Sequence, residues 1–227
     1  AFNHTVVYRR TDGEDVNVGT IPAGSGTTAS FTPSLADSAL LPNATSGTAT
    51  MFVQTYNGST FIGTSSMNFT VTVPASVVPT VSNSVTGNNL TGGFYTQNRS
   101  TLNVTVTESG NQGSWITYRN TSITGASNNG AQSFTSSTLT ASGTITIQTT
   151  ITDSRGRSAS YSRTITVYAY SNPVANTVSA VSCTAGGVDD PSGAYMKITG
   201  SGSISPVNNA NGRTASMQYK VAGTGTW

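Results

Sequence analysis

Charge is what this chain has least of. Only 8% of its 227 residues are Asp, Glu, Lys or Arg, against roughly 25% in an ordinary globular domain. The ten Lys and Arg are scattered and the net charge is +2, so there is no electrostatic footprint for nucleic acid. Disordered chains usually carry high net charge and no regular alternation; this one has neither property. There is one histidine, His4, and one cysteine, Cys183. One of each cannot supply the three or four ligands of a zinc site. A lone cysteine rules out an internal disulfide and the Cys…Trp…Cys arrangement of antibody domains, and Cys183 reads as a small core residue. A Ser/His/Asp triad would have to recruit His4 from an extreme N-terminal strand, and no Gly-x-Ser-x-Gly elbow precedes a helix. Nor is there an apolar run of 18 residues to insert in a membrane, or a visible signal peptide.

Ser, Thr, Asn and Gly take the place of the missing charge, and they repeat. Thr70-Val71-Thr72-Val73 is matched by Thr164-Ile165-Thr166-Val167, and Pro79 by Pro173, each at an offset of 94 residues. Gly92-Gly93 and Gly186-Gly187 keep that offset, and Ser46-Gly47-Thr48 recurs close to it as Ser142-Gly143-Thr144. A period near 94 suits an immunoglobulin-sized β-sandwich and is too long for a solenoid. The fold expected is therefore all-β, a tandem of immunoglobulin-like β-sandwich domains. The bounds are 1–74 (with an N-terminal strand missing), 75–168, and a truncated third domain over 169–227. The start at Ala1 and the stop at Trp227 read as cuts in a longer polypeptide.

Local patterns agree. Phe2, His4, Val6 and Tyr8 alternate with Asn3, Thr5, Val7 and Arg9, the two-residue period of a strand. Thr48–Tyr56 and Phe61–Val73 flank Asn57-Gly58, a hairpin signal. Pro33–Leu41 is the one stretch with helical character, one or two turns stopped by Pro42-Asn43. In the second unit, strands are expected over Val78–Val85, Thr101–Thr107, Ser114–Asn120 and Thr144–Thr152. Asp153-Ser154-Arg155-Gly156 then makes a type I turn with a bulge into a closing strand over Arg157–Tyr170. The third unit offers strands at Val178–Cys183, Tyr195–Gly200 and 215–221. Pro79 and Pro173 sit in short linkers, which makes the connections stiff.

The residues that carry chemistry are few. Asp12, Glu14, Asp15, Asp37, Asp153, Asp189 and Asp190 lie mostly in turns, where Asp serves the backbone, and Glu108 ends a strand. No carboxylate pair stands out for glycoside hydrolysis. Neither acidic cluster has the ligand spacing of a calcium loop. No metal, cofactor or catalytic residue is therefore assigned. Arg155-Gly156-Arg157 reads as a soluble, charged hairpin tip. Aromatic rings bind the C–H faces of sugars, which makes Tyr118, Trp115 and Tyr95 the candidates for contact with a glycan or partner. The odd spacing of Trp115 and Tyr118 puts them on opposite faces of a regular strand, with Trp115 in the core.

Several strings together resemble a known family. They are Phe2-Asn3-His4-Thr5, Pro42-Asn43-Ala44-Thr45-Ser46-Gly47-Thr48, Thr55-Tyr56-Asn57-Gly58-Ser59, Val73-Pro74-Ala75-Ser76-Val77-Val78-Pro79, Asp153-Ser154-Arg155-Gly156-Arg157 and Asp190-Pro191-Ser192-Gly193-Ala194-Tyr195. They are similar to structural proteins of tailed phages of Gram-positive hosts, a siphophage family of unknown function. The resemblance implies a place in the virion, at a tail fibre or tail tip, and supplies no catalytic residues. The expected function is a non-enzymatic virion structural protein, a spacer that helps engage the host surface. Its expected partners are other virion proteins, further copies of itself (a trimer, as in many fibres) and host cell-surface polysaccharide. A carbohydrate-binding adhesin module and a capsid decoration protein are the alternatives; a wall hydrolase lacks its carboxylate pair.

Overall fold

The computed structural model describes residues 1–26, 28–212 and 216. The strand expected over 215–221 lies outside the described residues. Among the described residues, thirteen strands and one short 3-10 helix follow one another, and the all-β expectation holds.

Residues 75–168, the middle body, close into two layers. One sheet orders β5 (Thr80–Asn88), β7 (Thr101–Ser109) and β9 (Ser133–Thr135) side by side. The other orders β6 (Tyr95–Thr96), β11 (Ser158–Tyr168), β10 (Gly143–Asp153) and β8 (Ile116–Ile123). In immunoglobulin lettering these are A-B-E against C-F-G, with a short parallel strand added beside G. Alternation makes the core. Leu102, Val104 and Val106 point inward from β7 toward Ile145 and Ile147 of β10, with Ile123, Leu139 and Val167 completing a sealed cluster. Where threonine replaces an aliphatic on the inner face, its hydroxyl is paired. Thr121 Oγ1 and Thr149 Oγ1 lie 3.0 Å apart, and Asn83 of the facing sheet donates to Thr149 Oγ1 at 3.0 Å. Glu108 on β7 and Arg119 on β8 form a half-buried ion pair between the sheets, and Arg119 also donates to the Gly130 carbonyl.

Residues 1–74, the first body, depart from the expected sandwich. Its strands β1 (Phe2–Arg9), β2 (Asp15–Ile21), β3 (Ser46–Asn57) and β4 (Thr60–Thr72) form one antiparallel sheet in the order β2-β1-β3-β4. That order matches the C-F-G sheet of the middle body with one strand added outside C. Among the described residues of 1–74, nothing corresponds to β5 or β7. In place of a second sheet, Phe31 and the 3-10 helix (Leu35–Leu40, capped by Ser34) lie over the apolar face beside Tyr8. Tyr8 is sealed there between Phe31 and Phe69, with ring centroids at 5.3 and 5.9 Å. A cleft of about 460 Å³ remains beside it, lined by Leu41, Val71 and Val73. By register, Val53 and Met67 share the face of Val6 and Tyr8, yet Met67 is 71% exposed. The hairpin turn falls one residue later than the Asn57-Gly58 signal. Asn57 still pairs with Thr60, so Gly58 and Ser59 are the central residues. Gly58 at φ +61° meets the need for positive φ at the first of them.

Beyond Pro173, β12 (Val174–Cys183) and β13 (Tyr195–Ser203) make an antiparallel hairpin. Their starts repeat those of β5 and β7, 80 and 101, at the same 94-residue offset that the sequence shows. Cys183 is buried, as its small apolar character suggested.

Candidate functional site

The strongest construction outside the core is where the first and middle bodies meet. The β10–β11 hairpin turns over Asp153–Gly156. Gly156 N donates to the Asp153 carbonyl at 2.9 Å with Gly156 at φ +79°, and Asp153 Oδ1 accepts from the amides of Arg155 (3.0 Å) and Arg157 (2.9 Å). These bonds aim the arginines back at the first body. Arg155 is only 7% exposed and donates to four carbonyls. Two are Ser38 (2.8 Å) and Leu41 (2.8 Å), around the end of the 3-10 helix; the others are Asn111 (2.7 Å) and Gln112, in the loop before β8. A cation suits the carbonyls left over at a helical C-terminus. Arg157 donates to Val73 (2.7 Å), Pro74 and Val77 (2.7 Å), gripping the linker ahead of Pro79. Ser154 Oγ donates to the Pro42 carbonyl. Burial pushes the Arg155 pKa down and Asp153 opposes that shift; a guanidinium stays charged regardless.

This corrects the reading of Arg155-Gly156-Arg157 as a solvated tip. Turns are usually exposed, but here the carbonyls of a neighbouring body replace the water. The Pro173 junction is lighter. Ser171 N donates to Ser205 Oγ at 2.7 Å, and Ala210 packs against Gly92.

Of the aromatic candidates, Tyr95 is half-buried and leans on the space that Gly87 leaves open, where a Cβ would lie 2.5 Å from its ring. It serves packing. Trp115 and Tyr118 are 52% and 54% exposed, so the expectation of a core Trp115 is overturned. The cause is a bulge. Ile116 pairs with Asp153 but Tyr118 pairs with Thr152, which leaves Thr117 as the extra residue. Thr117 Oγ1 donates to the carbonyls of both Thr152 (3.1 Å) and Asp153 (3.2 Å), fixing the irregularity. Trp115 exchanges bonds with Ser154, its N donating to Ser154 Oγ at 3.2 Å and its carbonyl accepting from Ser154 N at 2.8 Å. The odd spacing is thereby cancelled, and both residues fall on the outer side of the β8–β10–β11 sheet.

Most of the carboxylates are tied to cations. Asp15 pairs with Arg9, while Asp12 and Glu14 share Arg10; their arginines hold the Asp15 and Asp12 carboxyls below the usual range. Asp189 pairs with Lys197, and Glu108 with Arg119. His4 Nδ1 lies 2.9 Å from Thr55 Oγ1 between β1 and β3. Among the described residues there is no group of three or more His, Cys, Asp or Glu that could hold a metal ion, and no helix is long and apolar enough to cross a membrane.

No curated protein matches the chain. Among solved structures it is similar to the fibronectin(III)-like modules of Clostridium thermocellum CbhA. The identity is 12%, covering 73% of this chain and 78% of that one, with a TM-score of 0.31. The family described as "Siphovirus protein of unknown function (DUF859)" matches residues 1–227, and the chain belongs to it.

Proposed function

We propose that the chain is a non-enzymatic structural segment of the phage virion, a tail-fibre or tail-tip spacer that helps hold the particle against the host surface. The observation that carries this reading is the arginine-locked junction. Seven hydrogen bonds from Arg155 and Arg157 to backbone carbonyls tie the middle body to the first body, to the linker and to its own loop. A flexible string of domains has no use for such a lock, whereas a spacer needs its orientation fixed. The engagement of Asp12, Glu14, Asp15, Glu108 and Asp189 by arginine or lysine also supports a non-enzymatic role, because a glycosidase needs two carboxyl groups free to flank one bond. The repeated body supports an elongated assembly with other virion proteins and further copies of itself, in which weak contacts multiply by avidity.

Immunogold labelling of intact particles tests the reading. Label along or at the end of the tail, with purified chain competing for phage adsorption, is the expected result. Label over the head would favour a capsid decoration protein, and particles without label would sink a virion role altogether.

A further inference from the structure

We infer that the outer side of the β8–β10–β11 sheet is a binding platform for neutral polysaccharide, with Trp115 and Tyr118 as its stacking rings. This deepens the host-engagement reading above and rests on it for its biological meaning.

Two large rings stand more than half exposed, Tyr118 opposite Thr152 of β10 and Trp115 opposite Ser154 in the turn that follows. Two residues along a strand is about 7 Å, the scale of neighbouring units in a sugar polymer. Single exposed rings such as Phe2, Phe61 and Tyr195 carry no message, whereas neighbouring exposed rings rimmed by polar residues are the pattern of an interaction site. These two are held outward by the Thr117 bulge, whose hydroxyl is bonded twice, and by the paired backbone of Trp115 and Ser154. A ring pre-set by its backbone loses little freedom on binding.

The rest of the platform selects the ligand. Across the sheet from Tyr118, in register, lie Thr152 and Ser158, and beside them Asn120, Thr150 and Ser160. The hydroxyls are already linked in cross-strand pairs, Thr150 with Ser160 at 2.9 Å and Thr152 with Ser158 at 2.8 Å. Each retains acceptor capacity, and Asn120 adds an amide. No charged side chain belongs to this set, so nothing in it neutralises a phosphate, a carboxylate or a basic peptide. Hydroxyls, one amide and the electron-rich faces of two rings complement the alternating O–H and C–H faces of an uncharged hexose chain.

The test measures binding of the full 227-residue chain to an array of neutral hexose oligosaccharides, with poly(glycerol phosphate) as the anionic arm. Saturable binding to at least one neutral glycan is expected. Trp115→Ala and Tyr118→Ala should each weaken it about tenfold, as for a central aromatic contact. Tyr118→Phe keeps the ring and should retain most of the affinity, while Tyr195→Ala, an exposed ring of the third body, should change nothing. Unchanged far-ultraviolet circular dichroism shows that each variant folds. No neutral-glycan binding up to about 1 mM, binding indifferent to both Ala variants, or binding to the polyphosphate alone would each overturn the platform. A chain labelled on the tail but blind to glycans refutes only the platform. Glycan binding by a chain missing from particles refutes the virion role and leaves the platform standing.

Discussion

The first and middle bodies use the same three neighbouring strands differently. In the middle body, β8, β10 and β11 face a second sheet, and Leu102, Val104, Ile145 and Ile147 are excluded from water. In the first body, β1, β3 and β4 keep the order of that sheet, but a loop and a single 3-10 helix stand in for its partner. The replacement seals Tyr8 and leaves Met67 in solvent with a cleft beside the helix. Strand pairing is thus satisfied in both bodies while burial is complete in only one. Sheet order and core closure are separable properties of one repeat, and the stability of the chain should be unequally shared.

The largest expected effect follows from this inequality. Leu102→Ala or Ile147→Ala should destabilise the middle body by about 3–5 kcal/mol, whereas Met67→Ala in the first should cost less than about 0.5 kcal/mol. Urea denaturation followed by Trp115 fluorescence, in a Trp227→Phe background, reads the first; a circular-dichroism melt reads the second. Equal losses would mean that the two bodies do not differ as described. Next is the lock between them. Arg155→Ala takes the guanidinium away from four carbonyls, of which only Ser38 and Asn111 keep another donor, and should cost about 2–3 kcal/mol. It should also separate the melting of the first body from that of the middle one and broaden the small-angle scattering distance distribution. Arg155→Lys should not restore the wild-type profile, because a single ammonium cannot span carbonyls that diverge around a planar fork. Smaller again is Glu108→Gln, which removes one charge from the inter-sheet pair with Arg119. A loss of about 1–2 kcal/mol in the middle-body transition is expected, with no change in the first.

The smallest effect is in acid. The Asp12 and Asp15 carboxyls of the first body are held low by Arg10 and Arg9. Their contribution is therefore present above the unfolded carboxylate range and disappears as the pH falls through the lower folded values. Melting temperatures taken from about pH 5 down to pH 2 should show this loss in the first body, and added salt should blunt it because both pairs are at the surface.

Much of the fold can be read from alternation, since β-branched residues every second position mean the same thing in any context. The 94-residue repeat likewise returns in the strand starts of β5, β7, β12 and β13. The short strands β6 and β9 carry too few residues to show a period. β2 was obscured by the acidic turn before it and by Gly19 within a bulge. At the candidate site, two local rules misled. A spacing of three separates Trp115 from Tyr118 only on a regular ribbon, and nothing about Thr117 advertises the insertion that its hydroxyl stabilises. A charged turn reads as solvated only when no other body is at hand. Two arginines together, in a chain with ten cations in all, were the available sign that Asp153–Arg157 does more than turn.

The grip of that turn also decides how the chain carries tension. Arg155 and Arg157 hold the N-terminal end of β11 to the body upstream, and the other end of β11 runs directly into the segment before Pro173. A pull along the chain can therefore pass through one covalent ribbon of 11 residues, roughly 36 Å long. The two layers of the middle body are spared from being prised apart for as long as the guanidinium bonds endure.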